Sequence, residues 1–246
     1  MKQTRLIMGM PVTVEVPGAD SRVLESVFAY FKEIDERYSP YKPDSELSRI
    51  NRGLKRRYWS DEMKRVMNLC EETRKLCGGY FDIRHKGKID TSGLVKGWAI
   101  HEAAKLLLQQ GYENFYIEAG GDIQVSGRNQ TGDPWVIGIR NPFQIDEIVK
   151  VIHAGNGEGV ATSGTYLRGE HIYNPLSDAQ PNPLRSLTVI GPNIFEADRF
   201  ATAAFAMGCQ GLAFIDALPG FAAYLIDDTK TATYTKGFAA YVANIA

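Results

Sequence analysis

The segment from Ile89 to Gly97, IDTSGLVKG, places an acid, a glycine and a lysine immediately before a predicted helix. A helix N-terminus presents free backbone N–H groups and a partial positive charge, and both favour phosphate binding. Lys96 would add a point charge toward the same anion, and Asp90 could hold a hydroxyl or a hydrated cation. The alternative is a capped turn with a solvated Lys96, because short glycine motifs are weakly specific.

A second segment, FEADRFATAAFAMG, places Asp198 and Thr202 four residues apart, and therefore on one face of a predicted helix. A carboxylate and a hydroxyl, with a carbonyl from elsewhere, form a hard oxygen site that suits Mg²⁺ better than zinc. The alternative is structural: an acid near a helix start complements the helix dipole, and Thr202 in an alanine-rich stretch could belong to the core.

Two polar, turn-rich segments carry weaker signals. In EAGGD, residues 118–122, the paired glycines allow a close backbone approach to a ligand, but a hairpin or bulge requires the same residues. His171, in GEHIYNPLSDAQP, is a candidate proton acceptor. A solvated histidine, or one that is satisfied within the core, is the alternative.

Aromatic side chains beside polar groups occur in SPYKPDSELSRIN, which contains Tyr41, and in the run Tyr80-Phe81-Asp82. Such a combination can hold a flat heterocyclic ring and hydrogen-bond its edge. A buried aromatic cluster would account for the same pattern.

The elements that must position these residues alternate between helices and strands. Helices are predicted at 21–37, from Ser60 to Gly78-Gly79, up to Gly111, at about 197–207 and up to Leu218. Strands are predicted at 5–16 (broken at Gly9 and Pro11), 115–127, 135–140, 148–164 and 185–192, with a terminal hairpin within 222–238. The order predicts an α+β fold with mostly antiparallel sheets and packed helices. We treat residues 1–246 as a single domain, within which two subdomains could interleave.

Composition excludes several classes of protein. The 246 residues are 44% hydrophobic with a formal net charge of -1, which is typical of a globular domain and argues against a general nucleic-acid binder. No apolar run is long enough to span a bilayer. The three cysteines, Cys70, Cys77 and Cys209, lack metal-type spacing and are interpreted as buried thiols in a reducing compartment.

The motifs carry more information in their order than singly. From residue 8 to residue 238 the chain contains, in order, Met8-Gly9, YKPDSELSRIN, GGYFD, DTSGLVKG, AGGDI, ATSG, HIYNP, EADRFATA and YTKGF. This closely resembles the ApbE family, the FAD:protein FMN transferases, and the resemblance implies an ApbE-like fold.

The resemblance also implies an activity. Family members cleave the pyrophosphate of FAD in the presence of Mg²⁺, attach FMN through a phosphoester to a Thr or Ser of a target flavoprotein, and release AMP. Two alternatives remain at this point: an FAD pyrophosphatase with water as acceptor, and a flavin-binding protein without turnover.

Site residues follow by position in the motifs. Asp198, Thr202 and the backbone carbonyl of Gly93 match the family's metal-binding positions. The positions that match FAD contacts are Met8, Tyr41, Asn51, Tyr80, Phe81, Asp82, Asp90, Lys96 and Ile172. His171 matches a histidine proposed to help activate the acceptor hydroxyl, and Asp90 is the second candidate for that base.

The chain departs from the family pattern in places. The family often has HIIDP where this chain has HIYNP, so Asn174 replaces an acid, and Trp98 stands where Tyr is common. Many relatives are lipid-anchored outside the cytoplasm. The first residues, MKQTRLIMGMPVTVEV, contain neither the apolar core of a signal peptide nor an early cysteine for a lipid. We therefore expect a cytoplasmic protein, or a periplasmic one if the chain is a processed form.

Overall fold

The structure, a computed structural model, describes residues 1–165, 172–177 and 182–242. Its helices in these ranges are α1 (Ser21–Tyr38), α2 (Glu46–Asn51), α3 (Asp61–Leu76), α4 (Ser92–Gln109), α5 (Ile194–Ala206) and α6 (Gly211–Asp216). Its strands are β1 (Lys2–Ile7), β2 (Met10–Glu15), β3 (Arg84–His85), β4 (Lys88–Ile89), β5 (Phe115–Ala119), β6 (Asp122–Ser126), β7 (Trp135–Asn141), β8 (Gln144–Ala154), β9 (Gly159–Gly164), β10 (Leu184–Gly191), β11 (Ala222–Asp227) and β12 (Ala232–Tyr234). Short 3₁₀ turns lie at Arg56–Tyr58, Gly208–Gln210 and Lys236–Tyr241.

One antiparallel sheet organises the molecule. Its strand order is β1-β2-β5-β6-β9-β10-β11-β12, while β3–β4 and β7–β8 form separate two-stranded ribbons. The β5–β6 hairpin turns at Gly120 and Gly121, both with positive φ, a conformation that glycine adopts without steric penalty. The predicted α+β architecture with antiparallel sheets and packed helices is confirmed.

The N-terminal strand predicted over residues 5–16 is wrong at its centre, because the chain reverses there. Met8 and Gly9 both have positive φ, at 56° and 71°, and they form the turn of a tight hairpin. Ile7 pairs with Met10, and β1 then runs antiparallel to β2 back to Lys2. The break at Gly9 is therefore a turn rather than an irregularity within one strand.

Capping residues fix where the helices begin. Ser60 accepts the backbone N–H of Met63, as predicted for the start of α3. Asn193 accepts the backbone N–H of Glu196 in the same way, so α5 begins at Ile194, three residues before the predicted start. The sequence pattern located the helix correctly but missed its asparagine cap.

The two faces of the sheet bury separate hydrophobic clusters. The larger lies between the sheet and the helices and includes Phe28, Phe31, Leu94, Ile100 and Phe205. The smaller lies on the opposite face, where the β7–β8 ribbon and the C-terminal 3₁₀ turn cover the sheet. The candidate site described below lies on the helix-covered side, because α4 and α5 provide its base.

The cysteines are all free thiols, but they are not all buried. Burial raises the pKa of Cys70 and of Cys77 to about 12. Cys209 is exposed, which corrects the prediction that it is buried, because it lies in the 3₁₀ turn between α5 and α6. Across the ranges that the structure describes, no helix combines the length and the apolar character needed to cross a bilayer.

Candidate functional site

A cleft lies at the N-terminal end of α4, between that helix, α5 and the β3–β4 ribbon. It is lined by Tyr80, Phe81, Asp82, Ile83, His85, Asp90, Ser92, Gly93, Lys96, Gly120, Thr162, Ser163, Gly164, Ile172, Tyr173, Pro175, Asp198 and Thr202. Segments that are far apart in the sequence thus converge here. They include the IDTSGLVKG motif, the β5–β6 turn, the end of β9 and the polar face of α5.

Helices α4 and α5 approach each other closely at the base of the cleft. The backbone N–H of Gly97 donates to Oδ2 of Asp198 at 2.8 Å. A Cβ atom at position 97 would lie 2.6 Å from Cβ of Asp198 and 2.9 Å from the carbonyl oxygen of Ile194. Only glycine allows this approach, which fixes the Asp198 carboxylate against the first turns of α4.

Three residues that could supply oxygen ligands, Gly93, Asp198 and Thr202, line the cleft beside this contact. The hydroxyl Oγ1 of Thr202 lies 3.4 Å from the carbonyl oxygen of Gly93 and donates to it. Asp198 lies one turn before Thr202 on the same face of α5, and its Oδ2 accepts the Gly97 amide. A carboxylate, a hydroxyl and a carbonyl are the hard oxygen ligands that Mg²⁺ prefers, so these residues fit such an ion. This candidate set contains only one acidic side chain. Within the described ranges no metal-type group of three or more His, Cys, Asp and Glu side chains is found.

A buried charge cluster adjoins these donors. Nζ of Lys96 lies 2.6 Å from Oδ2 of Asp122 and 3.8 Å from Oδ1 of Asp198. The other oxygen of Asp122 accepts the backbone N–H of Thr162 at 3.1 Å. Burial raises the pKa of Asp198; Lys96 opposes this shift and the nearby Asp122 carboxylate adds to it. A cation bound at Oδ1 would reverse this balance by stabilising the ionised form of Asp198.

Asp90 organises the start of α4. Its Oδ1 accepts the backbone N–H of Ser92 at 2.9 Å, while Thr91, the residue before the helix, makes no side-chain cap. Asp90 is exposed to solvent and lines the cleft. Its carboxylate therefore caps the first turn of α4 through Oδ1, and its second oxygen can accept a further hydrogen bond.

The opposite wall is held together by Tyr173. Its hydroxyl lies 3.0 Å from the carbonyl oxygen of Asp82 and 3.1 Å from that of Arg84, and it can donate to either. Its ring packs against His85 with the ring centroids 4.0 Å apart. The segment that carries Ile172 is thereby tied to the β3–β4 ribbon, so both border the cleft in a fixed relation.

The profile of the ApbE family matches residues 8–87 and 84–225, which is most of the chain. The chain belongs to the ApbE family. The FAD:protein FMN transferase of Vibrio cholerae is 27% identical over 267 residues, which cover 83% of this chain and 80% of that protein. The FAD:protein FMN transferase of Salmonella typhimurium is 29% identical over 147 residues, covering 56% of this chain but only 42% of that protein.

Solved structures of the ApbE family share the fold. The flavin transferase ApbE from Vibrio cholerae superposes with a TM-score of 0.85, covering 98% of this chain and 99% of that one, at 24% sequence identity. At this level of identity the comparison shows the fold.

The structure brings most of the predicted ApbE-family site residues into the cleft. Among the predicted FAD contacts, Tyr80, Phe81, Asp82, Asp90, Lys96 and Ile172 line it, as do all three predicted metal-binding residues. Met8 lies in the β1–β2 turn, Tyr41 is 93% exposed, and neither lines the cleft. Asn51 also lies outside the lining, but its side chain makes two 2.8 Å hydrogen bonds with the backbone of Ile89, next to Asp90. His171 lies outside the described residues.

Sequence reasoning missed several cleft residues, and Asp122 is the most informative. It is 1% exposed and paired with Lys96, whereas the prediction for EAGGD concerned only its two glycines. The sequence shows only an acid directly after a paired-glycine turn, because the burial of this acid and its contact with Lys96 exist only in the fold. His85 and Tyr173 gave no comparable signal, because their contact joins two segments that are distant in the sequence.

Proposed function

We propose that this ApbE-family chain is a Mg²⁺-dependent FAD:protein FMN transferase that attaches FMN to a Thr or Ser hydroxyl of a target flavoprotein and releases AMP. The observation that carries the proposal is the convergence of Lys96, Asp198, Thr202 and the Gly93 carbonyl at the start of α4. This arrangement lies in a chain whose relatives are named for that reaction.

The proposed reaction is a phosphoryl transfer within a dinucleotide. The acceptor oxygen forms a bond to the FMN phosphorus, the bond from that phosphorus to the bridging oxygen breaks, and AMP leaves with the electron pair. Such reactions depend mainly on positioning and on neutralising charge. A bound Mg²⁺ would supply Lewis-acid stabilisation of charge on the phosphate oxygens.

The chain's own residues have distinct tasks in this proposal. Lys96 and the positive end of the α4 helix dipole bind the pyrophosphate. Asp198, Thr202 and the Gly93 carbonyl provide the oxygen ligands of the cation. The aromatic residues Tyr80 and Phe81 border the same cleft and offer apolar surface to a flat ring.

The acceptor hydroxyl must lose a proton during the reaction, and a hydroxyl is a weak nucleophile without a base. We assign this role first to His171, from its position in the HIYNP motif, and second to Asp90. Asp90 already accepts the Ser92 amide through Oδ1, so its Oδ2 is the oxygen left to accept a proton. Full transfer by His171→Ala together with loss of transfer by Asp90→Asn would reverse this ranking.

Mass spectrometry tests the function directly. The chain is incubated with FAD, Mg²⁺ and a protein bearing a candidate Thr acceptor, and EDTA is added in a parallel sample. We expect an FMN adduct on the acceptor and stoichiometric AMP, both lost with EDTA. AMP and free FMN without an adduct would instead identify a hydrolase, and no cleavage of FAD would refute both activities.

Substitutions at Thr202 separate its metal-ligand role from its packing. Thr202→Val keeps the shape but removes the hydroxyl, and we expect the rate to fall by about 100-fold or more. Thr202→Ser keeps the oxygen and should retain most of the activity. Thr131→Val, in an exposed loop, is the matched control. Equal activity of the valine and serine variants at position 202 would remove Thr202 from the proposed site.

A further inference from the structure

Lys96 lies near two buried carboxylates, and its ammonium is closer to one of them than to the other. Its ammonium is 2.6 Å from Oδ2 of Asp122 but 3.8 Å from Oδ1 of Asp198. All three side chains are largely buried: Lys96 is 16% exposed, Asp122 1% and Asp198 5%. Of these two carboxylates, Asp122 is therefore the closer partner of Lys96.

Asp122 is held rigidly in this position. It is the first residue of β6, directly after the Gly120-Gly121 turn, and its Oδ1 accepts the backbone N–H of Thr162 on β9. This hydrogen bond orients the carboxylate, so that Oδ2 is the oxygen that contacts Lys96. Lys96, by contrast, has a flexible four-carbon stem, so the position of its ammonium depends on the charges around it.

The oxygen that Lys96 approaches is the one that the proposed cation needs. Oδ2 of Asp198 accepts the Gly97 amide, so the candidate cation ligand is Oδ1, to which no backbone N–H of a described residue donates. Mg²⁺ binds oxygen at about 2.0–2.1 Å. An ammonium 3.8 Å away leaves space for such a bond, whereas an ammonium in direct contact with Oδ1 would compete for the same oxygen.

We propose that Asp122 is a positioning residue that holds the Lys96 ammonium away from Oδ1 of Asp198 and so keeps this carboxylate available to a divalent cation. Without the charge of Asp122, Asp198 would be the nearest carboxylate to the Lys96 ammonium among the described residues. Attraction between opposite charges is strong in a buried setting, so it would draw the flexible Lys96 side chain onto Oδ1. The inference rests on the proposed metal site at Asp198, Thr202 and Gly93.

The test is a double-mutant cycle of cation affinity in the FAD-free protein. Mn²⁺ is titrated into the wild type, Asp122→Asn, Lys96→Gln and the double variant, and the free ion is followed by electron paramagnetic resonance. Asp122→Asn keeps an acceptor for the Thr162 amide, so the fold should be retained, which circular dichroism checks. If that variant does not fold, Asp122→Ser replaces it, because its hydroxyl is also an acceptor.

We expect Asp122→Asn to weaken Mn²⁺ binding by about 10–100-fold. In the Lys96→Gln background the same substitution should have little effect, because the competing ammonium is absent. An equal loss in both backgrounds would show that Asp122 acts only through its own charge on the ion, and would overturn the proposal. No loss in either background would overturn it as well.

An Asp198→Ala variant separates failure of this inference from failure of the metal site. If the wild type does not bind Mn²⁺, or if Asp198→Ala binds it equally well, the metal site itself is wrong and this inference falls with it. If Asp198→Ala abolishes binding while Asp122→Asn leaves it unchanged, the metal site stands and only the role of Asp122 is refuted.

Discussion

Replacing Gly97 by alanine tests whether the close contact between α4 and α5 holds the cation ligands in place. The added Cβ would lie 2.6 Å from Cβ of Asp198, and 2.9 Å from both Oδ2 of Asp198 and the carbonyl oxygen of Ile194. Two of these atoms belong to the backbone or to the base of a side chain, so a rotamer change cannot relieve the clash. The helices must separate instead.

The expected change in the free energy of unfolding combines three contributions. Overpacking a core contact destabilises by about 1–3 kcal/mol. Weakening the hydrogen bond from the Gly97 amide to the buried Asp198 carboxylate costs about 1.5–3 kcal/mol. Alanine has a helix propensity about 1 kcal/mol better than that of glycine, which offsets part of this loss. The net destabilisation is about 1.5–5 kcal/mol, or about 3–20 °C in Tm for a protein of this size.

Thermal and urea unfolding of the FAD-free protein measure this effect, with Gly93→Ala as the matched control in the same helix. A Cβ at Gly93 would lie 3.3 Å from Cγ2 of Thr202 and 3.4 Å from Cε2 of Phe81, contacts that small side-chain shifts can relieve. We expect Gly93→Ala to stay within about 1 kcal/mol of the wild type in stability. If Gly97→Ala proves as stable as Gly93→Ala, the steric argument for the helix contact is refuted.

Three further predictions follow from burial and hydrogen bonding. In the folded protein iodoacetamide should alkylate Cys209 alone among the thiols, because Cys70 and Cys77 are buried with pKa values of about 12; rapid labelling of all three, seen by mass spectrometry, would contradict the structure. The raised pKa of Asp198 means that its carboxyl group binds a proton more tightly in the metal-free folded protein than in the unfolded chain. The free energy of unfolding therefore falls as the pH rises above 3.8, the ordinary pKa of an aspartate. Asp198→Asn should remove this decline in stability. Parallel Tm–pH profiles of the wild type and Asp198→Asn in EDTA would refute the prediction. Tyr173→Phe should lower stability by about 1 kcal/mol and raise KM for FAD with little change in kcat, since it loosens a wall of the cleft; an unchanged KM would show that the tyrosine hydroxyl does not shape the site.

Local patterns in the sequence were enough to predict the elements that carry the site. The spacing of Asp198 and Thr202 predicted one helix face, because it depends on residues only a few positions apart. The helix predicted after IDTSGLVKG is present but begins at Ser92, so Gly93, Lys96 and Gly97 lie in its first turns and not before it, which corrects the prediction. The two glycines, which have low helix propensity, made this segment resemble a loop. The break at Gly9 was visible but ambiguous. A single glycine permits either an irregular strand or a turn, and the pairing of β1 with β2 decides between them.

Contacts between distant segments could not be predicted in this way. Lys96 pairs with Asp122 on β6, and the amide that binds Asp198 belongs to Gly97 on α4. Neither contact has a signature in the residues around it, because each exists only once the sheet and helices have packed. The three predicted contacts outside the cleft, Met8, Tyr41 and Asn51, came from the family resemblance, and they remain predictions.

The β7–β8 ribbon is a suitable place to attach a label to the protein. Its buried side chains, Trp135, Ile137, Ile139 and Ile152, pack on the sheet face away from the helices, and no described residue from 127 to 158 lines the cleft. The ribbon turns between Asn141 and Gln144, where Phe143 is partly exposed. This turn is therefore the place to insert a fluorophore, an affinity tag or a surface tether when the protein is to be immobilised or tracked with its cleft intact.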